Sequence, residues 1–465
     1  MAADTHPDPS IRRGPGRWIR NWDPENSAQW ERGGSRIARR NLWASIFAEH
    51  LGFCVWSLWA VLVLFMTPQT GFAFTAEQKF LLVSLVALVG ALIRIPYTMA
   101  VPRFGGRNWT LISVVALLVP TLLAAVLVQS PDTPFWVFAL LAATAGLGGG
   151  NFASSMSNIS YFYPERLKGT ALGLNAGGGN IGVATVQLLG LAVIALFSVQ
   201  AGAVVPLVYV PLLLLAALVA WRYMDNLASM RGNTADQVAV CRDRHTWLMS
   251  LLYIGTFGSF IGYGFAFGLL LQNQFDRTPI EAATVTFLGP LIGSLIRPLG
   301  GWLADRYGGS QVTLWNFLAM VAGTAVIIVA SLHGSLAMFT LGFVVLFTLS
   351  GIGNGSTYKM IPSIYAAKAE DRIAAGEARE EAVADTKRLA AALLGLVGAI
   401  GGLGGVLINM AFRESFAAVG SATPAFVCFL GFYMVCALVT WRVYLRGPMG
   451  GRGHTRAAAD TVVAS

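Results

Sequence analysis

Charged side chains are scarce in this chain. Asp, Glu, Lys and Arg make up 12% of its 465 residues, about half the share found in a soluble domain. With 55% hydrophobic residues and a mean hydropathy of +0.62, that scarcity excludes an ordinary soluble globular protein. Cysteine is sparse too. Cys54, Cys428 and Cys436 fall in apolar segments and Cys241 in a polar stretch. Their spacing fits neither a disulfide framework nor a thiolate metal site, and they read as packing residues. No metal-ligating cluster, nucleophile triad or cofactor motif occurs, so neither enzyme activity, nor a metal, nor a cofactor is expected. Residues 1–41 are polar and Arg-rich with no apolar core, which argues against a cleavable signal peptide. The formal charge of +9 is of the kind that nucleic-acid binders carry. Membrane proteins collect Lys and Arg on their cytoplasmic side as well, and no nucleic-acid partner is expected.

Long apolar runs, by contrast, fill the chain. A spanning helix needs about 20 apolar residues. Twelve stretches qualify: 43–66, 78–102, 108–129, 134–160, 169–197, 203–222, 246–272, 281–304, 311–332, 336–358, 387–411 and 422–444. With both ends of the chain in the cytoplasm, 27 of the 32 basic residues lie inside and only Lys79, Arg277 and Arg413 lie outside. That asymmetry sets the expected orientation. Arg94 and Arg297 fall within spans. The expected organisation is a cytoplasmic segment 1–42, six helices over 43–222, a linker 223–245, six helices over 246–444 and a cytoplasmic tail 445–465. The charged, Ala-rich insertion 368–388 is expected to form a cytoplasmic helix of its own.

The two sets of six helices repeat. "IRIPYTMAVPRFGGR" in the second span resembles "IRPLGGWLADRYGGS" in the eighth, and Arg94 and Arg297 each stand 11 residues before a Gly-Gly pair. The offset is 203. The same offset carries Gly150-Asn151 onto Gly353-Asn354. Internal repeats of this sort build many transporter folds. The fifth and eleventh spans share Gly-rich stretches, "GLNAGGGNIG" and "GAIGGLGGVL".

Away from the span ends, and Cys and Tyr aside, only four ionisable residues fall inside spans: Glu49, His50, Arg94 and Arg297. Such residues are costly in lipid and mark sites or pathways. Each Arg sits about 24 Å along its span, too deep for easy snorkelling. Two permanent cations at matched depth call for an anion, and the planar guanidinium fork matches a small planar oxyanion. Glu49 is the one acid at a depth to offset them. The alternative is a structural role, with both Args bonded to backbone carbonyls. Phe53, one turn from Glu49 on the same face, with Phe152, Tyr253 and Phe257, is expected to line the cavity. Gly177, Gly178, Gly179, Gly401 and Gly402 allow close helix contact, read either as a sliding surface during transport or as static packing. Glu49 and His50 are candidates for proton coupling. Their structural reading is a fixed counter-charge and a hydrogen-bonded imidazole.

Several longer stretches carry a family resemblance: "NWDPENSAQWERGGSRIARRNLW", "ALIRIPYTMAVPRFGGRNW", "GNFASSMSNISYFYPERLKGTALGLNAGGGNIGV", "LLYIGTFGSFIGYGF" and "SGIGNGSTYKM". Over residues 21–446 the chain resembles the nitrate/nitrite porter family (NarK-type) of the major facilitator superfamily. The resemblance implies an all-α integral membrane protein with the major facilitator fold, working by alternating access on nitrate and nitrite. It implies that Arg94 and Arg297 clamp the anion and that Phe53, Phe152, Tyr253, Phe257 and Asn180 line its pocket. The family is associated with both nitrate/nitrite exchange and proton-linked nitrate uptake, and "AEHLGFCVW", with Glu49 and His50, leaves both open. The expected protein is therefore a monomeric inner-membrane antiporter taking up nitrate against nitrite. The alternatives are a nitrate–proton symporter using Glu49, a carrier of another small oxyanion, or a receptor that binds nitrate without transporting it.

Overall fold

The computed structural model describes residues 11–230 and 234–446. The expected segments 1–42, 223–245 and 445–465 therefore fall partly outside the described residues. Twelve helices are long and apolar enough to cross a membrane. In order, spans 1 to 6 are Ser27–Phe65, Ala76–Phe104, Gly106–Leu127, Phe135–Phe162, Glu165–Leu196 and Val199–Tyr223. Spans 7 to 12 are Arg244–Phe275, Pro279–Tyr307, Gly309–Leu332, Leu336–Ala374, Arg379–Val419 and Thr423–Leu445. Large apolar side chains such as Trp136, Leu140, Leu196 and Leu341 stand exposed on the outer surface of the bundle, as a lipid-facing surface requires.

The repeat has local physical causes. Thr75 and Thr278, 203 residues apart, both close reciprocal capping boxes, Thr75 with Gln78 and Thr278 with Glu281. These boxes satisfy the first free N–H groups of spans 2 and 8. Gly105 and Gly308, again 203 apart, end the same two spans at φ values of +84° and +90°. A side chain strains in that backbone region and glycine does not. The shared spacing is thus a shared set of helix starts and stops.

Two expectations need correction. Span 1 begins at Ser27, well before residue 43, because hydropathy marks only the apolar part of a helix that continues into its Arg-rich polar turns. The insertion 368–388 is not a separate helix. Spans 10 and 11 each run on beyond their apolar stretches and meet at a short turn where Gly376 takes φ +100°. Arg372 clasps that turn through Glu377 at 2.6 Å and Asp385 at 3.1 Å.

The end of the bundle at which span 1 begins and span 12 finishes is the terminal end, and the opposite one is the far end. At the far end the two halves close on each other. The Gln187 amide donates to the Gly264 carbonyl at 2.8 Å, and the Gln272 amide to the Leu64 carbonyl at 3.4 Å. Phe80 stacks against Phe416, with ring centres 5.5 Å apart.

At the terminal end the chain before span 1 is strapped to the N-terminal half. Trp18–Ile19 pairs with Asn226–Leu227 as a short parallel ribbon. Trp22 Nε1 donates to the Tyr161 carbonyl, and the Glu25 carboxylate accepts from the Glu165 N–H. Asp225, whose side chain is 0% exposed, binds Arg17 at 2.9 Å, Arg13 at 3.4 Å and Arg40. The Asn41 amide also donates to it at 3.1 Å. Removing one partner of a buried charge network leaves the others uncompensated. Asp225→Ala is expected to lower stability by about 3 kcal/mol. Asp305→Ala breaks only the exposed pair with Lys359 and should cost under about 0.5 kcal/mol. Thermal unfolding of the two variants in detergent checks the contrast.

Candidate functional site

Span 2 turns at Ile93, and Arg94 opens its second segment. The guanidinium is 1% exposed. Its Nε donates to the Gly149 carbonyl on span 4 at 3.2 Å, and its Nη1 to the Gly398 carbonyl on span 11 at 2.6 Å. One side chain therefore ties the two halves together. Glycine at both acceptor positions leaves the carbonyl open to a bulky fork. Three aromatic faces surround the charge, with Trp56, Phe152 and Phe257 ring centres 5.4, 5.1 and 5.0 Å from the guanidinium carbon. Each supplies cation–π attraction in a desolvated setting. Nη2 has no hydrogen-bond partner.

Arg297 on span 8 is half-buried. Its Nη2 donates to the Tyr253 hydroxyl at 3.3 Å, and its guanidinium lies 5.8 Å from the Tyr358 ring centre. Nη1 is buried without a partner. The two Args meet across span 7. Tyr253 and Phe257 stack there at 5.2 Å with planes 10° apart, one facing Arg297 and the other Arg94. The backbone between them widens into a π-type turn over Ile254–Gly258, a distortion common at functional sites. Phe53 joins through Phe152, edge to face at 6.0 Å. The structure thus brings Arg94, Arg297, Phe53, Phe152, Tyr253 and Phe257 together. Asn180 is fully buried with neither amide atom bonded.

Glu49 is 1% exposed and within electrostatic reach of both Args. It forms no ion pair. Its Oε2 accepts from the Asn175 amide at 2.6 Å, and its Oε1 has no partner. His50 is half-buried and donates from Nδ1 to the Gly178 carbonyl at 2.9 Å.

The glycines divide by neighbour. An added Cβ at Gly178 would meet Ile46 at 2.5 Å, and at Gly179 Glu49 Oε1 at 2.2 Å. At Gly401 it would meet the Tyr253 ring at 2.4 Å. These three press spans 5 and 11 against spans 1 and 7 of their own halves. Gly402 alone of the five faces the opposite half, 3.2 Å from Ala91. Gly177 has open space beside it.

Trp56, Tyr358, Asn175 and Ser155 were not singled out from the sequence. Trp56 follows Phe53 by one turn, and Tyr358 follows Asn354 by one turn, so helical spacing from recognised residues was the available signal. A cavity of about 1100 Å³ opens elsewhere, at the terminal end between spans 8, 9, 10 and 12, beside Arg306, Trp315 and Asn316. Neither Arg94 nor Arg297 lines it.

A twelve-span bundle with two guanidiniums and a layer of aromatics where its halves meet is the architecture of a membrane carrier. The model of the Major Facilitator Superfamily matches residues 47–376. The Nitrate/nitrite transporter NarU of Salmonella typhimurium is 43% identical, over 92% of this chain and 96% of its own. The Probable nitrate/nitrite antiporter NarK2 of Thermus thermophilus is 33% identical, over 94% and 98%. The chain belongs to the nitrate/nitrite porter family of the major facilitator superfamily; it is a multi-pass membrane transporter, not an enzyme. Among solved structures, a bacterial homologue of the human lysosomal transporter Spinster, inward-facing and occupied, shares the fold. Its TM-score is 0.62 at 19% identity, covering 87% of this chain and 97% of that one.

The glycine geometry makes a prediction. Gly177→Ala should leave expression and transport rate unchanged. Gly179→Ala and Gly401→Ala force Glu49 and Tyr253 to shift, with about 1–3 kcal/mol of strain each, and should lower thermal stability and transport rate together. Parallel unfolding and transport assays on the three variants test it.

Proposed function

We propose that this protein takes up nitrate in exchange for nitrite across the cytoplasmic membrane, by alternating access. The observation that carries the reading is a pair of guanidiniums, one from each half, the first sealed and the second half-buried, each with a buried terminal nitrogen that no protein group satisfies. A planar oxyanion accepts from such a fork through two oxygens. With Glu49, the one carboxylate in reach of both, in its ionised form, the centre would keep one net positive charge, which fits a monovalent anion. The substrates named for the relatives agree with that charge and shape. Nitrate and nitrite carry equal charge, so their exchange needs no further ion. Residues 43–222 and 246–444 would rock about this centre, joined by the linker 223–245, while the far-end contacts break and reform. The basic residues favour a cytoplasmic terminal end.

Arg94→Lys and Arg297→Lys keep the charge and remove the fork. Each should weaken nitrate binding by about thirtyfold, the equivalent of one good charge-assisted bond pair, while the protein stays folded. Nitrate titration of purified variants measures it, and near-normal binding by either would take that Arg out of the site.

One observation favours a second reading, nitrate uptake driven by protons. Glu49 is a buried carboxyl with a neutral amide on one oxygen and nothing on the other. Nitrate adds a negative charge to its surroundings, and a proton on Glu49 would offset it. Anion and proton binding would then be linked reciprocally. Glu49→Gln should abolish proton-driven accumulation and keep exchange. Proteoliposomes with internal nitrite and the pH gradient varied independently separate the readings. Accumulation by Glu49→Gln that still follows the gradient removes Glu49 as carrier. A wild type that only exchanges leaves antiport alone.

A further inference from the structure

The cavity at the terminal end of the C-terminal half lies outside the anion site. Its volume of about 1100 Å³ is just above the usual range for small-molecule sites, about 300–1000 Å³. It opens beside Trp315, which is 63% exposed on the lipid-facing surface of the bundle. Its wall is polar at the rim and apolar within. Arg306, Ser310 and the start of span 9 form the rim, and Ala319, Leu349 and Ile352 line the inner part. Ala319 lies about 15 Å along span 9 from Gly309. A polar mouth at a membrane surface, with an apolar interior running along the helices, suits an amphiphile lying parallel to the spans.

Among the described residues, the charges on the cavity wall leave one cation over. Asp305 pairs with Lys359 at 2.8 Å, and Glu370 with Arg379 at 3.4 Å. Arg306 has neither a hydrogen bond nor an ion pair among the described residues. Its guanidinium rests on the rings of Trp302 and Tyr307, 5.6 Å from each ring centre. Both rings are exposed, and Trp and Tyr on the outer surface mark the headgroup level of a bilayer. Span 9 starts there with no side chain capping its first N–H groups, and a helix N-terminus favours an anion. Deeper in, Asn316 is 4% exposed. Its amide oxygen has no partner, and its amide nitrogen has only the Met320 sulfur at 3.5 Å. A buried amide bonded so poorly is costly. It stands about 10 Å along span 9 from Gly309, between the polar rim and the apolar interior.

We propose that this cavity holds an anionic glycerophospholipid from the leaflet at the terminal end. Its phosphate sits between the Arg306 guanidinium and the first N–H groups of span 9. An ester carbonyl gives the Asn316 amide nitrogen an oxygen acceptor, and an acyl chain lies along Ala319, Leu349 and Ile352. One phosphodiester carries one negative charge, which matches the single cation left over. A zwitterionic headgroup fits less well, because Asp305 and Glu370 are already engaged and leave no free carboxylate for an ammonium. The lipid would join spans 8, 9, 10 and 12, away from Arg94 and Arg297, and the site does not depend on which anion the protein carries. Arg103, 203 residues before Arg306, is its counterpart in the N-terminal half and does not line the cavity.

The test titrates phosphatidylglycerol into the full-length protein in detergent and counts bound lipid by native mass spectrometry. Phosphatidylcholine with the same acyl chains is the neutral probe, and thermal unfolding checks that each variant is folded. Wild type should bind its first phosphatidylglycerol about tenfold more tightly than phosphatidylcholine. Arg306→Gln removes an exposed side chain that makes no bond within the protein. It should weaken that first phosphatidylglycerol about tenfold, the equivalent of one charge-assisted hydrogen bond. Ala319→Trp, which fills the inner part of the cavity, should weaken it as well, and Arg103→Gln should bind like wild type. Equal affinity of wild type for the two lipids would overturn the proposal, and so would wild-type binding by Arg306→Gln. An equal loss in Arg103→Gln would mark a general surface-charge effect and overturn it too. A wild type that binds no phosphatidylglycerol would overturn it and leave the cavity to the chain beyond residue 446. If Ala319→Trp does not fold, Arg306→Gln against Arg103→Gln decides alone.

Discussion

Two guanidiniums at the middle of an apolar bundle, one sealed and one half-buried, are the constraint around which this molecule is arranged. Arg cannot neutralise itself by losing a proton, so the surroundings must answer its charge. They do so in three ways. Backbone carbonyls at Gly149 and Gly398 accept from Arg94, aromatic faces cover the remaining surface, and the Glu49 carboxyl lies within electrostatic reach. Each answer is partial. The unsatisfied nitrogens that remain are what an anion would complete, and each carries the cost of a buried donor without a protein partner.

The halves are alike as scaffolds and unlike as chemistry. Thr75 and Thr278 start equivalent helices, and Gly105 and Gly308 end them. The Args stand at the same offset. Their environments differ. Arg94 is sealed and bonded to both halves, whereas Arg297 is half-buried and held by a single tyrosine hydroxyl. The buried carboxyl, Glu49 of span 1, has Leu252 at the matching position of span 7. A small ligand bound between the halves has no symmetry that matches theirs, so nothing requires the two sides of its site to be equal, while helix geometry does require equal punctuation.

Movement between the halves needs each to remain intact. The Asp225 cluster fastens the N-terminal strap, span 1 and the end of span 6 into one unit. The clasped turn between spans 10 and 11 does the same on the other side. Glycines 178, 179 and 401 belong to this intra-half packing, and Gly402 with the Arg94–Gly398 bond lies on the interface between the halves. Gly-rich stretches of similar composition therefore serve different mechanical purposes, decided by what each glycine meets.

The sequence by itself determined the membrane class, the number of spans, the repeat and the two Args. All of these follow from local rules: hydropathy over about 20 residues, helix punctuation, and the rarity of charge in lipid. It also pointed to four aromatics that the fold gathers around those Args. It misplaced the start of span 1 and the fate of residues 368–388, because a helix that leaves the membrane keeps its backbone bonds while losing its apolar signal. Only the tertiary structure decided that Gly179 abuts Glu49 while Gly177 faces open space, that Tyr358 covers Arg297, and that Asn175 meets Glu49 from another helix. Those facts depend on the rotation of each helix about its axis. That rotation is set by side-chain packing between segments more than a hundred residues apart, and no periodicity within one segment records it.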